Sequence, residues 1–142
     1  MSEVNWSAEG LHFHGIAFDP ETDCETIRYT CQDGYNAAQR LLERDRDFTA
    51  IFAMSDVMAV GAIRGLRDQG KWVPEDISVV GFDGVELGQY YVPRLASISQ
   101  NLDALAERSF RILLSNIEDG DSAHYEILPD SLLDRESARK ID

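Results

Sequence analysis

Apolar positions along the chain fall into short blocks separated by polar turns. Two uncharged runs stand out: Ala50-Ile51-Phe52-Ala53-Met54, which gives way to Ser55-Asp56, and Ile77-Ser78-Val79-Val80-Gly81, which gives way to Phe82-Asp83. Short runs of β-branched and aromatic residues without alternation predict strands buried on both faces, as in a parallel sheet. Parallel neighbours need a crossover, and Val57 to Gln69 is long enough to supply it as a helix. Ala59, Ile63 and Leu66 give that helix an apolar stripe, with Val60 and Gly61 beside it. The small Ala59 and Gly61 permit close approach to the sheet or to another subunit. Gly70 predicts the helix stop, and Pro74 ends any helix and extends Val73.

The same reading extends to both sides. Trp6, Leu11 and Phe13 share one face of a short helix that Gly15 would stop, and Ile27-Arg28-Tyr29 reads as a short extended piece. Asp33 is the expected cap of a helix striped by Ala37, Ala38, Leu41 and Leu42, closed by the solvated run Glu43 to Asp47. Ala96 to Ser99 predicts a strand ending at Gln100, and Asn101 the cap of a helix with Leu102, Leu105, Ala106, Phe110, Leu113 and Ile117 on one stripe. By period alone that stripe reads as core. Asp119-Gly120-Asp121 is a turn, Tyr125 to Leu128 and Leu132-Leu133 read as two closing strands, and residues 136–142 as a frayed tail.

The fold class is therefore α/β with a parallel sheet, and in such sheets ligands bind outside the C-terminal ends of the strands. That places attention on Ser55, Asp56 and Asp83. Ser and Asp both cap helix N-termini, and Asp56 is assigned that role; Ser55 is a cap, a ligand contact, or both. The Asp83 carboxylate either accepts hydrogen bonds from a ligand or serves as a turn residue before Gly84. Tyr29 offers a ring for stacking on a ligand, or is a half-buried core residue. Tyr90, Tyr91 and Val92-Pro93 form either an interface patch or ordinary loop packing.

Composition narrows the function. The chain has 142 residues, enough for one domain, with formal net charge -13 and a sequence pI near 4.5. No basic patch provides a DNA-binding surface, and the acidic balance disfavours an anionic membrane. Cys24 and Cys31 make no disulfide framework and read as reduced thiols of a cytoplasmic protein. No segment reads as a signal peptide or a membrane span. His12, His14 and His124 lack metal-ligand spacing, so no metal and no cofactor is expected.

Several motifs fall in one order: Ser55-Asp56-x-x-Ala59-x-Gly61, then Gly70-x-x-Val73-Pro74-x-Asp76-Ile77-Ser78-Val79-Val80-Gly81-Phe82-Asp83, then Pro93-x-Leu95. Together they resemble the effector-binding domain of the lactose-repressor/galactose-repressor family of bacterial transcription regulators. The resemblance runs without a gap from about Tyr29 to Gln100, and more loosely to Arg135 and Ser137; Ser97 stands where the family usually has Thr. It implies a parallel-sheet, three-layer lobe of a periplasmic-binding-protein-like (type I) domain, truncated. It implies that Tyr29 stacks on the ligand, that Asp83 accepts hydrogen bonds from it, and that Ser55 and Gln100 lie at the cleft. Many relatives carry a second acid or Asn where this chain has Gly84. Val60 on the crossover helix and Tyr91 are implied at a homodimer interface. These groups suit a sugar or related polyol better than an anion.

The resemblance also sets expectations about extent. The family has a DNA-binding headpiece and two lobes; residues 1–142 correspond mostly to the second lobe, so DNA would be met only through a headpiece outside this chain. The 101–119 helix is expected to pack on the first lobe, and its stripe to be covered by a partner, by rearranged packing or by further chain. The family's effector-binding Arg aligns near Glu3, and no Arg precedes Arg28. The alternatives are a solute-binding protein, which needs a signal segment, and an enzyme built on Asp56 and Asp83. For the enzyme there is no nucleophile elbow, P-loop or metal cluster.

Overall fold

The computed structural model describes residues 10–44, 47–119 and 125–140, the side chains of residues 118 and 119 apart. Trp6, the 45–46 part of the charged run, the turn at 120–121, His124 and the position of Glu3 lie outside the described residues. A helical turn at residues 10–13 is followed by α1 (Pro20–Asp23), α2 (Cys31–Glu43), β1 (Ala50–Phe52), α3 (Asp56–Asp68) and β2 (Ser78–Asp83). Then come α4 (Leu87–Tyr90), β3 (Ala96–Ser99), α5 (Leu102–Asp119) and β4 (Ser131–Leu133). The strands form one sheet in the order β1-β2-β3-β4. The first three are parallel, with Ile51 opposite Val79 and Gly81 opposite Ser97; β4 runs antiparallel to β3.

Glycines and short polar side chains set the helix ends. Gly15 (φ +73°) and Gly70 (φ +76°) both occupy the left-handed conformation that glycine adopts without a Cβ penalty. At each, the amide of the next residue reaches five residues back (Ile16 to Leu11, Lys71 to Leu66) while the glycine amide reaches three residues back. This is the Schellman arrangement, which satisfies the last carbonyls of a helix. Thr30, not Asp33, caps α2. Its hydroxyl accepts from the Asp33 amide at 3.0 Å and donates to the Asp33 carboxylate at 2.8 Å. Asp33 is the third helical residue, so its side chain reaches back to the cap instead of forming it.

Helix α3 is the centre of the core. Ala59, Ile63 and Leu66 are essentially buried, and they pack with Met58, Val73, Ile77, Val79 and Leu95. Helix α2 lies so close to α3 that a Cβ at Gly61 would overlap the Cys31 carbonyl, and one at Gly34 the Met58 carbonyl. Gly61 therefore serves the contact with α2, not an approach to the sheet or to another subunit. On the other sheet face, Phe52 and Phe82 meet edge to face with centroids 6.5 Å apart.

The C-terminal segment is not a frayed tail. Ser137 is fully buried, its hydroxyl donates to the Val79 carbonyl at 2.6 Å, and it accepts from the Ala96 amide at 2.7 Å. Its own carbonyl accepts from the Val79 amide, so it stitches β2 to β3. Of the two expected closing strands only the second forms. Residues 125–130 are not strand, and Tyr125 and Ile127 stand exposed. Residues 27–29 are likewise not strand.

Helix α5 forms where its stripe predicts, but the stripe is not core. Leu102, Leu105, Phe110, Leu113 and Ile117 are 45–70% exposed, and none belongs to the core cluster. Its cover is thus not supplied by rearranged packing among the described residues. Among those residues no helix is long and apolar enough to cross a membrane.

Candidate functional site at the C-terminal sheet edge

Ser55, Asp83 and Gln100 arrive at the same sheet edge because β1, β2 and β3 are parallel and each ends there. Ser55 follows β1 and caps α3, its hydroxyl accepting from the Val57 amide at 3.2 Å. It is 5% exposed. Asp83 closes β2 opposite Ser99, and Gln100 is the next residue of the third strand's chain. Tyr29 precedes the Thr30 cap and is 58% exposed. Chain direction puts it at this edge too, since α2 leads into the N-terminal end of β1. Gln100 lines a shallow cavity of about 190 Å3 with Asn101, Leu105, Glu126, Leu128 and Asp130, on the α5 side.

Asp56 is not the helix cap. Ser55 holds that position, and Asp56 is the first residue inside the helix. There its carboxylate turns toward the sheet, with no exposed surface. One oxygen accepts from the Val85 amide at 2.7 Å, the other from the Ser97 hydroxyl at 2.5 Å. Ser97 in turn accepts from the Gly84 amide at 3.1 Å. A Cβ at Gly81 would overlap an Asp56 carboxylate oxygen, so glycine there makes room for the acid. A buried carboxylate is tolerated only with such donors around it. One polar cluster therefore ties the start of α3, the turn after β2 and the middle of β3.

Asp83 sits above this cluster in an uncommon backbone state. Its φ is +114°, a conformation that L side chains rarely adopt, and Gly84 follows at +71°. Such strain persists only where surroundings over-determine it, and it gathers at ligand sites. Burial pushes the Asp83 carboxyl above its usual range and the nearby Asp56 charge adds to this, while the Asp56 backbone N–H, donating to it, pulls the other way. The group is a half-buried acceptor on a rigid strand end, suited to hydroxyl or N–H donors of a neutral ligand.

The residues assigned to a subunit interface meet within the chain. The Tyr91 hydroxyl donates to the Val60 carbonyl at 3.4 Å, and both side chains pack against the core. Tyr91 also edges a groove of about 290 Å3 with Ile63, Arg64, Arg67 and Val92. Val92 is 82% exposed and Tyr90 71%. Among the described residues no group of three or more His, Cys, Asp or Glu is placed to hold a metal ion.

Sequence reasoning missed the roles of Asp56 and Ser97. Two cap-type residues in succession left the cap ambiguous by one position. The signal that resolves it is Gly81, whose missing side chain is needed only if something polar packs over the strand.

The profile of the periplasmic binding protein-like domain matches residues 3–138. The chain is 42% identical over 114 residues to the HTH-type transcriptional regulator MalR of Clostridium butyricum, covering 80% of this chain and 34% of that protein. It is 38% identical over 143 residues to the HTH-type transcriptional repressor PurR of Mannheimia succiniciproducens, covering 99% of this chain and 39% of that protein. Among solved structures, a transcriptional regulator CelR–cellobiose complex superposes with a TM-score of 0.84 at 32% identity, over 92% of this chain and 40% of that one. The chain belongs to the periplasmic binding protein-like domain family, in the form carried by LacI-type transcription regulators. It spans well under half the length of each of these relatives.

Proposed function

We propose that this chain is the effector-recognition lobe of a bacterial LacI-type transcription regulator, acting in the cytoplasm on a sugar or related small polyol. The observation that carries this reading is Asp83, a half-buried carboxylate held at positive φ on the C-terminal end of β2, one ladder step from Gln100. In this reading Asp83 and Gln100 take ligand hydroxyls, Tyr29 offers its exposed ring to an apolar sugar face, and Ser55 combines its cap with the cleft wall. The cellobiose in the related complex is a neutral polyol of the kind these groups suit. The lobe would supply one half of a cleft, with a first lobe packed on the stripe of α5. Ligand between the lobes favours one lobe arrangement, and a homodimer formed around Val60 and Tyr91 transmits it to DNA-binding headpieces outside this chain.

Thermal melting against a panel of neutral sugars and nucleosides, cellobiose first, tests the reading. A ligand that binds only the native state raises the melting temperature. The expected result is a shift with at least one compound, lost in Asp83→Ala and in Tyr29→Ala. A shift that survives both substitutions, or a folded sample that responds to none of the panel, contradicts it.

A further inference from the structure

We infer that Asp56 is the positioning residue of this half-site: its buried carboxylate fastens the turn after β2 onto β3 and so fixes where the Asp83 carboxylate stands. The geometry is specific. Asp56 accepts from the Val85 amide, two residues beyond Asp83, at 2.7 Å. It accepts from Ser97 at 2.5 Å, and Ser97 accepts from the Gly84 amide at 3.1 Å. Both amides that follow Asp83 are thus held by one acid, directly and through one hydroxyl. The Asp56 backbone N–H donates to Asp83 itself. A residue at φ +114° followed by a glycine at +71° relaxes unless something holds it, and the described contacts supply that hold from Asp56. Gly84 is also confined from the other side, since a Cβ there would crowd Ser99.

Ordinary capping does not explain this arrangement. Ser55 already caps α3, and a helix needs no second acid turned away from its own amides. The acid also carries a cost in burial that an apolar residue would avoid, met here by donors from two other elements. Asp83 meets the Asp56 charge and backbone N–H from α3 and pairs with the neutral Ser99 of β3. As a statement about recognition the inference rests on the effector reading above; as a statement about the turn it stands without a ligand.

The test uses amide hydrogen exchange and carboxyl titration by NMR on the whole chain. Asp56→Ala alone strips the buried Ser97 hydroxyl and the Val85 amide of their acceptor and is liable to unfold. Asp56→Ala with Gly81→Ala fills the vacated space and separates fold from positioning. In that double variant the Val79 amide, bonded to the Ser137 carbonyl, should keep its protection, while Gly84 and Val85 exchange about tenfold faster or more, the loss expected for a buried hydrogen bond. In Asp56→Asn the side-chain oxygen still accepts from Val85, so that amide stays protected. The Asp83 titration midpoint should nonetheless fall toward the ordinary range because the neighbouring charge is gone. A folded double variant with Gly84 and Val85 as protected as in the parent overturns the inference. If the double variant does not fold, Ser97→Ala decides: it removes the hydroxyl that links Asp56 to the Gly84 amide, so Gly84 should exchange faster while Val85 stays protected, and unchanged Gly84 protection overturns the inference. Adding the panel of neutral sugars and nucleosides to the parent separates the two claims: binding of none tells against the effector reading, while the exchange result still decides the role of Asp56.

Discussion

Helices α3 and α5 carry nearly the same pattern and meet opposite fates. On α3, Ala59, Ile63 and Leu66 recur at helical spacing and are at most 3% exposed. On α5, Leu102, Leu105, Phe110, Leu113 and Ile117 recur in the same way and are 45–70% exposed. The difference lies in what surrounds them. Helix α3 has glycines that admit α2 and a sheet face that meets its stripe. Helix α5 carries a long unbroken stripe and has neither. Period tells which face of a helix is apolar; the partner's shape decides whether that face is buried.

Substitutions can break this contrast in order of expected size. Gly61→Val should be the most damaging, because the added carbons overlap backbone of α2 that cannot move aside: about 3 kcal/mol or more, or failure to fold. Ala106→Val on the exposed α5 should cost less than about 1 kcal/mol, the loss of helix propensity for a β-branched residue. Leu66→Ala should cost about 2–5 kcal/mol through an internal cavity, and Leu113→Ala within about 0.5 kcal/mol in this chain. Urea denaturation of the four variants measures the contrast, and equal losses at positions 66 and 113 would end it. Ser137→Ala should cost about 1–3 kcal/mol, since the buried Ala96 amide and Val79 carbonyl lose a partner.

The smallest effect concerns the functional end of the packed region. The folded-state pKa of Asp83 is raised above its ordinary value of 3.8, so the native state holds its proton more tightly than the unfolded chain. Stability tied to this group is then greatest below pH 3.8 and falls as pH rises through the folded value. Asp83→Asn should therefore melt above the parent at neutral pH, with the gap closing at about pH 3. A gap of constant size across that range would assign the gain to something other than ionisation.

Much of the fold was legible because burial leaves a simple mark on strands. The uncharged runs at 50–54, 77–81 and 96–99 contain β1, most of β2 and β3, but β1 is not buried on both faces as expected, since as an edge strand it leaves Ala50 and Phe52 exposed. What stayed hidden depended on pairing that no local pattern carries. Ser137 looks like tail residue, yet it is buried because two strand ends present one acceptor and one donor to it. Tyr125 to Leu128 has strand composition but is not strand, and neither is Ile27 to Tyr29. In the candidate site, Asp83 was singled out by its place after a strand and Gln100 by the resemblance, and the parallel strands bring the two to one sheet edge. Asp56 was mistaken for a cap because a cap and a buried brace use the same residue type one position apart.

Ligand recognition is expected on the β1-β2-β3 edge and not on the exposed surface of α5. Amide shift mapping during titration with cellobiose, and then with the other neutral sugars, tests it most directly. The expected result is a set of shifts at Tyr29, Ser55, Asp83 to Val85 and Gln100, with α5 beyond its first turn unmoved. Shifts gathered along Phe110 to Ile117, or around Tyr91 and Val92, with Asp83 to Val85 unchanged, would contradict it.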